Sequence, residues 1–118
     1  ITMLYTNLKH IETGADHQKL ISENEIVMVC CGRMGPMCIP VYGIMEDLED
    51  EYDHVKFADM EFDSPESHVI RNVPEVRSFM GIPFTMYYKN GKLVKATSSI
   101  QSMTQVRNIL DSEFAAAK

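Results

Sequence analysis

Residues 84–97 limit the possible folds more than any other stretch. Phe84-Thr85-Met86-Tyr87-Tyr88 is rich in β-forming side chains. Asn90-Gly91 is the preferred two-residue hairpin turn, and Leu93 to Thr97 supplies the returning strand. A connection this short leaves only antiparallel pairing. Gly81-Ile82-Pro83 precedes the hairpin. After it, Ser102 and Gln105 have the spacing of a capping box, and Val106, Ile109, Leu110 and Phe114 form the apolar stripe of a last amphipathic helix. Ala115-Ala116-Ala117-Lys118 reads as its frayed end or a tail.

Upstream, strand and helix patterns alternate. Met3 to Thr6 and Leu8 to Ile11 look extended, Thr13-Gly14 breaks the run, and Asp16 caps a short helix carrying Leu20 and Ile21. Ile26 to Cys31 is apolar at nearly every position, as in a strand covered on both faces. Val41, Ile44, Met45, Leu48 and Tyr52 recur at three and four, which is helical spacing, with acidic residues from Glu46 to Glu51 on the other side. Val55 to Phe62 reads as a second inner strand. Asp63-Ser64-Pro65-Glu66 starts a helix, and Pro74-Glu75 starts another. Successive β-α-β units require right-handed crossovers and a parallel centre. The expectation is an α/β fold with a mixed central sheet of four to five strands and helices on both faces.

At 118 residues the chain suffices for a single domain spanning 1–118. The net charge of −6, with scattered basic residues, argues against nucleic acid as a partner. The apolar runs are too short to span a bilayer, so no membrane role is expected, and no export signal opens the sequence. Three cysteines do not make a secreted disulfide framework, which points to a reducing, cytoplasmic setting. His10, His17, His54 and His68 lack metal-ligand spacing with the cysteines, so no metal or cofactor is expected. A monomer is expected.

The chemistry concentrates between the first inner strand and the helix after it, in Cys31-Gly32-Arg33-Met34-Gly35-Pro36-Met37-Cys38. Cys38 falls at a helix start, where the helix dipole favours a thiolate. Cys30 precedes Cys31, points to the opposite side of the strand and reads as a core residue. Met34 and Met37 either form an apolar docking surface beside Ile82-Pro83 and Ser98-Ser99-Ile100 or fold back to fill a gap.

Over roughly residues 20–114 the chain resembles the thioredoxin family. Glu25 to Val29 resembles the strand that delivers that family's active-site loop, and Ile44 to Tyr52 its long active-site helix. Gly81-Ile82-Pro83-Phe84-Thr85-Met86-Tyr87-Tyr88-Lys89-Asn90-Gly91-Lys92 matches its cis-proline strand and Lys-Asn-Gly hairpin almost residue for residue. The resemblance implies a thioredoxin fold and a cis Ile82–Pro83 bond that exposes the Ile82 backbone to an extended peptide partner. It also shows what is missing. Matching the helix without a gap puts Gly35 at the attacking cysteine, Cys38 at the resolving one, Cys31 at the usual tryptophan and Val29 at the buried acid. Matching Gly35-Pro36 instead puts Met34 and Met37 at the two cysteine positions. In neither register is the Cys-x-x-Cys dithiol present.

Six residues separate Cys31 from Cys38, enough for the chain to loop back and bring two thiols within disulfide reach. Two functions follow from the resemblance. One is thiol–disulfide exchange on protein thiols or disulfides. In it Cys38 reacts, Cys31 is its partner, and Ile82, Pro83, Met34, Gly35, Pro36 and Met37 bind substrate; electrons come from a donor resembling thioredoxin reductase. The other is a non-catalytic binding module that keeps the groove without the dithiol.

Overall fold

The computed structural model describes residues 4–114; Met3 and the tail from Ala115 lie outside the described residues. Five strands, β1 (Lys9–Ile11), β2 (Ile26–Gly32), β3 (Lys56–Glu61), β4 (Phe84–Lys89) and β5 (Lys92–Ser98), form one sheet in the order β1-β3-β2-β4-β5. β1, β3 and β2 run parallel, and β4 runs antiparallel to both β2 and β5. All seven residues of the central β2 are buried, which explains its unbroken apolar run.

Helices α1 (Gly14–Glu23), α2 (Ile39–Leu48), α3 (His68–Arg71) and α4 (Met103–Glu113) cover the two faces of the sheet. On one face Met28, Cys30, Phe57 and Tyr87 pack with Val41, Tyr42, Met45 and Leu48 of α2 and Val106 and Leu110 of α4. On the other, Val27, Val29, Cys31, Ala58, Met60 and Met86 pack with Leu20 and Ile21 of α1 and Ile70 of α3. The period-two alternation of β2 thus divides its side chains between two cores.

The hairpin forms as its sequence dictates. Asn90 and Gly91 have φ of 52° and 80°, the left-handed values that a tight primed turn demands, and Lys89 pairs with Lys92 across it. The α4 capping box is complete: the Gln105 N–H donates to Ser102 Oγ at 3.1 Å and the Ser102 N–H to Gln105 Oε1 at 2.8 Å. The Ile82–Pro83 peptide bond is cis, and β5 closes the sheet as an edge strand with Lys92, Val94 and Lys95 exposed.

Local details depart from the sequence reading. Thr13, not Asp16, caps α1: its hydroxyl accepts the Asp16 N–H at 3.0 Å, and Asp16 sits in the first turn, where its charge suits the helix dipole. Leu4 to Thr6 form no strand; Leu4 and Leu8 are buried on the α2 side of the sheet. α2 stops at Leu48 and passes into turns, although Tyr52 remains buried. Pro74 opens only the three-residue 3₁₀ turn Pro74–Val76.

Candidate functional site

β2 ends at Gly32, and the chain crosses a short loop into α2 with Cys38 as the N-cap. The Gly35 carbonyl accepts the N–H groups of Cys38 at 3.1 Å and Ile39 at 3.0 Å, folding the loop onto the helix start. Pro40 lies in the first turn, where its missing N–H costs nothing. The Arg33 N–H donates to Cys38 Sγ at 3.4 Å, and the Tyr42 hydroxyl donates to the Arg33 carbonyl at 3.0 Å. Both backbone polar groups of Arg33 are therefore engaged by α2.

Gly32 is the floor of this arrangement. A Cβ there would lie 2.8 Å from Cys38 Sγ, 2.8 Å from the Tyr42 hydroxyl and 3.0 Å from Pro83 Cβ. The thiol, the phenol and the cis proline thus meet over one glycine. Cys38 is only 1% exposed. Burial raises its pKa, while the N–H groups of Arg33 and Gly35, the Arg33 charge and the Tyr42 hydroxyl pull against that rise. The thiol therefore rests protonated and covered.

The structure separates Cys31 from Cys38. Cys31 faces the core under α1 and α3, whereas Cys38 belongs to the core under α2 and α4. All three cysteines are free and buried. Chain length allows the two thiols to approach, but strand alternation sets them in different cores. Residue 31 points away from the face that α2 covers, and Cys30, read from sequence as core only, points toward it. Burial lifts the Cys31 thiol to about 12.

The other expected site residues divide. Met37 is 42% exposed, Pro36 is exposed and Gly35 is half-buried. Met34 turns inward: it packs against the α2-side core, and its Sδ accepts the Tyr5 N–H at 3.3 Å. Ile82 is half-buried between the two cores, and Pro83 is buried. Ser99, with φ of 68°, donates its N–H to the Pro83 carbonyl at 3.0 Å, which ties the end of β5 to the proline. Arg33 is held by Asp63 through two N–H···O bonds of 2.7 and 2.8 Å, with its guanidinium 5.3 Å from the Phe62 ring centroid.

Sequence reasoning missed Asp59. It is 1% exposed on β3, pairs in register with Cys30, and takes hydrogen bonds from the Thr6 hydroxyl and from His10 Nδ1, the latter at 2.7 Å. A lone Asp in an otherwise apolar strand pattern was the available signal. Burial raises its pKa, and the Thr6 and His10 contacts oppose that rise. Among the described residues no three His, Cys, Asp or Glu are placed to hold a metal ion.

No family model and no curated protein matches the sequence. Solved structures do. Thioredoxin f2 of Chlamydomonas reinhardtii superimposes with a TM-score of 0.76 at 12% identity, covering 94% of this chain and 100% of its own. Fasciola hepatica thioredoxin gives 0.74 at 25% identity over 89% of this chain and 98% of its own. Plasmodium falciparum thioredoxin gives 0.74 at 21%, over the same shares. The chain has the thioredoxin fold. The expected α/β thioredoxin fold is borne out in the architecture, five strands with helices on both faces. The loop before α2 carries a single thiol, Cys38, at the helix start.

Proposed function

We propose that this thioredoxin-fold protein carries out thiol–disulfide exchange, with Cys38 as its reactive thiol. The observation that carries the reading is the convergence of Cys38 Sγ, the Tyr42 hydroxyl and Pro83 over Gly32 at the N-terminus of α2. A thiolate formed there meets N–H donors from Arg33 and Gly35 and the charge of Arg33, all of which favour it. The partner is a protein disulfide or thiol docked across Pro36 and Met37 on one side and Ile82-Pro83 on the other, with Gly35 leaving the approach open; beyond its two chain neighbours, no atom lies within 4 Å of where its Cβ would be. Met34 supports this surface from beneath. The chemistry is thiolate attack through a mixed disulfide. Electrons come from a reductase of the kind that serves thioredoxins, in a reducing, cytoplasmic compartment, and the protein acts as a monomer.

A disulfide-reductase assay tests this. Wild type should reduce a protein disulfide, Cys38→Ser should not, and Cys31→Ser should retain activity. Equal rates for wild type and Cys38→Ser would end the exchange reading.

One observation favours a second reading, a non-catalytic peptide-binding module: Cys38 is only 1% exposed. That reading predicts no reductase activity in wild type and undiminished peptide binding in Cys38→Ser.

A further inference from the structure

We infer that Cys30, in the middle of β2, is the internal partner of Cys38, and that the two close a disulfide joining β2 to the start of α2. This rests on Cys38 being the exchanging thiol and names the group that completes the exchange.

The geometry follows from the strand. Residues 30 and 32 lie on the same side of β2, about 7 Å apart along it. Cys38 Sγ sits over Gly32, within 2.8 Å of where that residue's Cβ would be. Cys30 is therefore the next side chain along the surface on which Cys38 already rests, and no side chain stands at position 32. Cys30 and Cys38 share one core, while Cys31 lies in the other. A disulfide needs Cα atoms about 4.4–6.8 Å apart, so closure requires the loop and first turn of α2 to settle toward β2.

A second observation points the same way. Thr85 pairs in register with Cys30 across the β2–β4 ladder, and Tyr87, which pairs with Met28, belongs to the same core as Cys30. Both are 0% exposed, and Thr85 Oγ1 and the Tyr87 hydroxyl have no hydrogen-bond partner. Buried hydroxyls are rarely left unpaired. The Thr85 hydroxyl makes no hydrogen bond of ordinary geometry, yet it is close enough to favour a Cys30 thiolate, against the burial and the neighbouring Cys38 that raise the Cys30 pKa. One donor, Thr85, thus stands beside the place where a transient anion would form.

The steps balance. The Cys38 thiol attacks a partner disulfide RS–SR′, forming a Cys38–SR bond, and its proton leaves with R′S⁻ as R′SH. The Cys30 thiol then attacks Cys38 Sγ, the S–SR bond breaks, and the second proton leaves with RS⁻ as RSH. The partner gains two electrons and two protons, and the chain keeps a Cys30–Cys38 disulfide.

The test treats the reduced full chain with glutathione disulfide, alkylates the remaining thiols and digests with trypsin. Cleavage after Arg33 separates the Cys30-Cys31 peptide from the Cys38 peptide. Wild type and Cys31→Ala should both yield the cross-linked pair, with fragmentation placing the bond at Cys30. Cys30→Ala should stop at a Cys38–glutathione adduct. A link that fragmentation assigns to Cys31, or an adduct at Cys38 in wild type that never closes, overturns the inference and leaves the exchange reading standing. Neither adduct nor link in wild type overturns both. Because wild type alone decides each outcome, poor folding of a variant does not spare the inference.

Discussion

Glycine 32 matters for what it lacks. A methyl group there would meet a thiol on a short side chain, a phenol anchored to the Arg33 carbonyl, and a rigid pyrrolidine ring. Of these neighbours, the proline cannot rotate away. Gly32→Ala should therefore destabilise the protein by about 1–3 kcal/mol, the usual cost of overpacking, measured as a lower denaturant midpoint. It should also speed alkylation of Cys38 by lifting it from its seat. His17 supplies a second residue-level test. It is buried, its Nε2 lies 3.0 Å from the Tyr88 hydroxyl, and burial lowers its pKa to about 4. Unfolded, it titrates near 6.5. Between those values the unfolded chain binds the extra proton, so stability falls as pH drops from 6.5 to 4 and is unaffected by this group above 7. The loss should reach on the order of 3 kcal/mol by pH 4. Melting curves across that range should show this acid limb, and His17→Gln should flatten it.

At the scale of elements, the segments with local chemical signals were legible in the sequence and those decided by packing were not. Asn90-Gly91 and the Ser102–Gln105 box carry their own hydrogen-bond logic and form as read. Removing the cap, Ser102→Ala, should cost about 1 kcal/mol, seen as a lower melting temperature with the reactivity of Cys38 unchanged. Asp16 was misread because Thr13 and Asp16 are both good caps and only the entry angle of the chain distinguishes them. The end of α2 was misread because Tyr52 keeps its helical spacing and its burial while the backbone has already turned. The face on which each thiol lies was not legible for a related reason. Sequence alternation says that Cys30 and Cys31 face opposite ways, but not which face α2 will cover. That choice is made by Met28, Phe57 and Tyr87 meeting Val41, Tyr42 and Met45, a contact among residues far apart in sequence.

For the molecule as a whole, the three thiols lie at different depths in one scaffold. Cys30 and Cys31 are 0% exposed in the strand at the centre of the sheet, and Cys38, 1% exposed, lies at the start of α2 beside the loop that precedes it. Openings of a loop cost less than global unfolding. In low denaturant, alkylation of Cys38 should therefore proceed at a rate independent of denaturant. Alkylation of Cys30 and Cys31 should follow the global stability, as read by mass spectrometry of quenched samples; equal rates for all three would contradict this ordering. The same loop is fastened to the far end of β3 by the Arg33–Asp63 ion pair, whose side chains are 54% and 56% exposed. An attraction between such open charges weakens as salt is added. Ionic strength thus becomes a control on the chemistry beneath: the rate at which Cys38 reacts with thiol reagents should change with sodium chloride in wild type, and Arg33→Gln should lose that dependence.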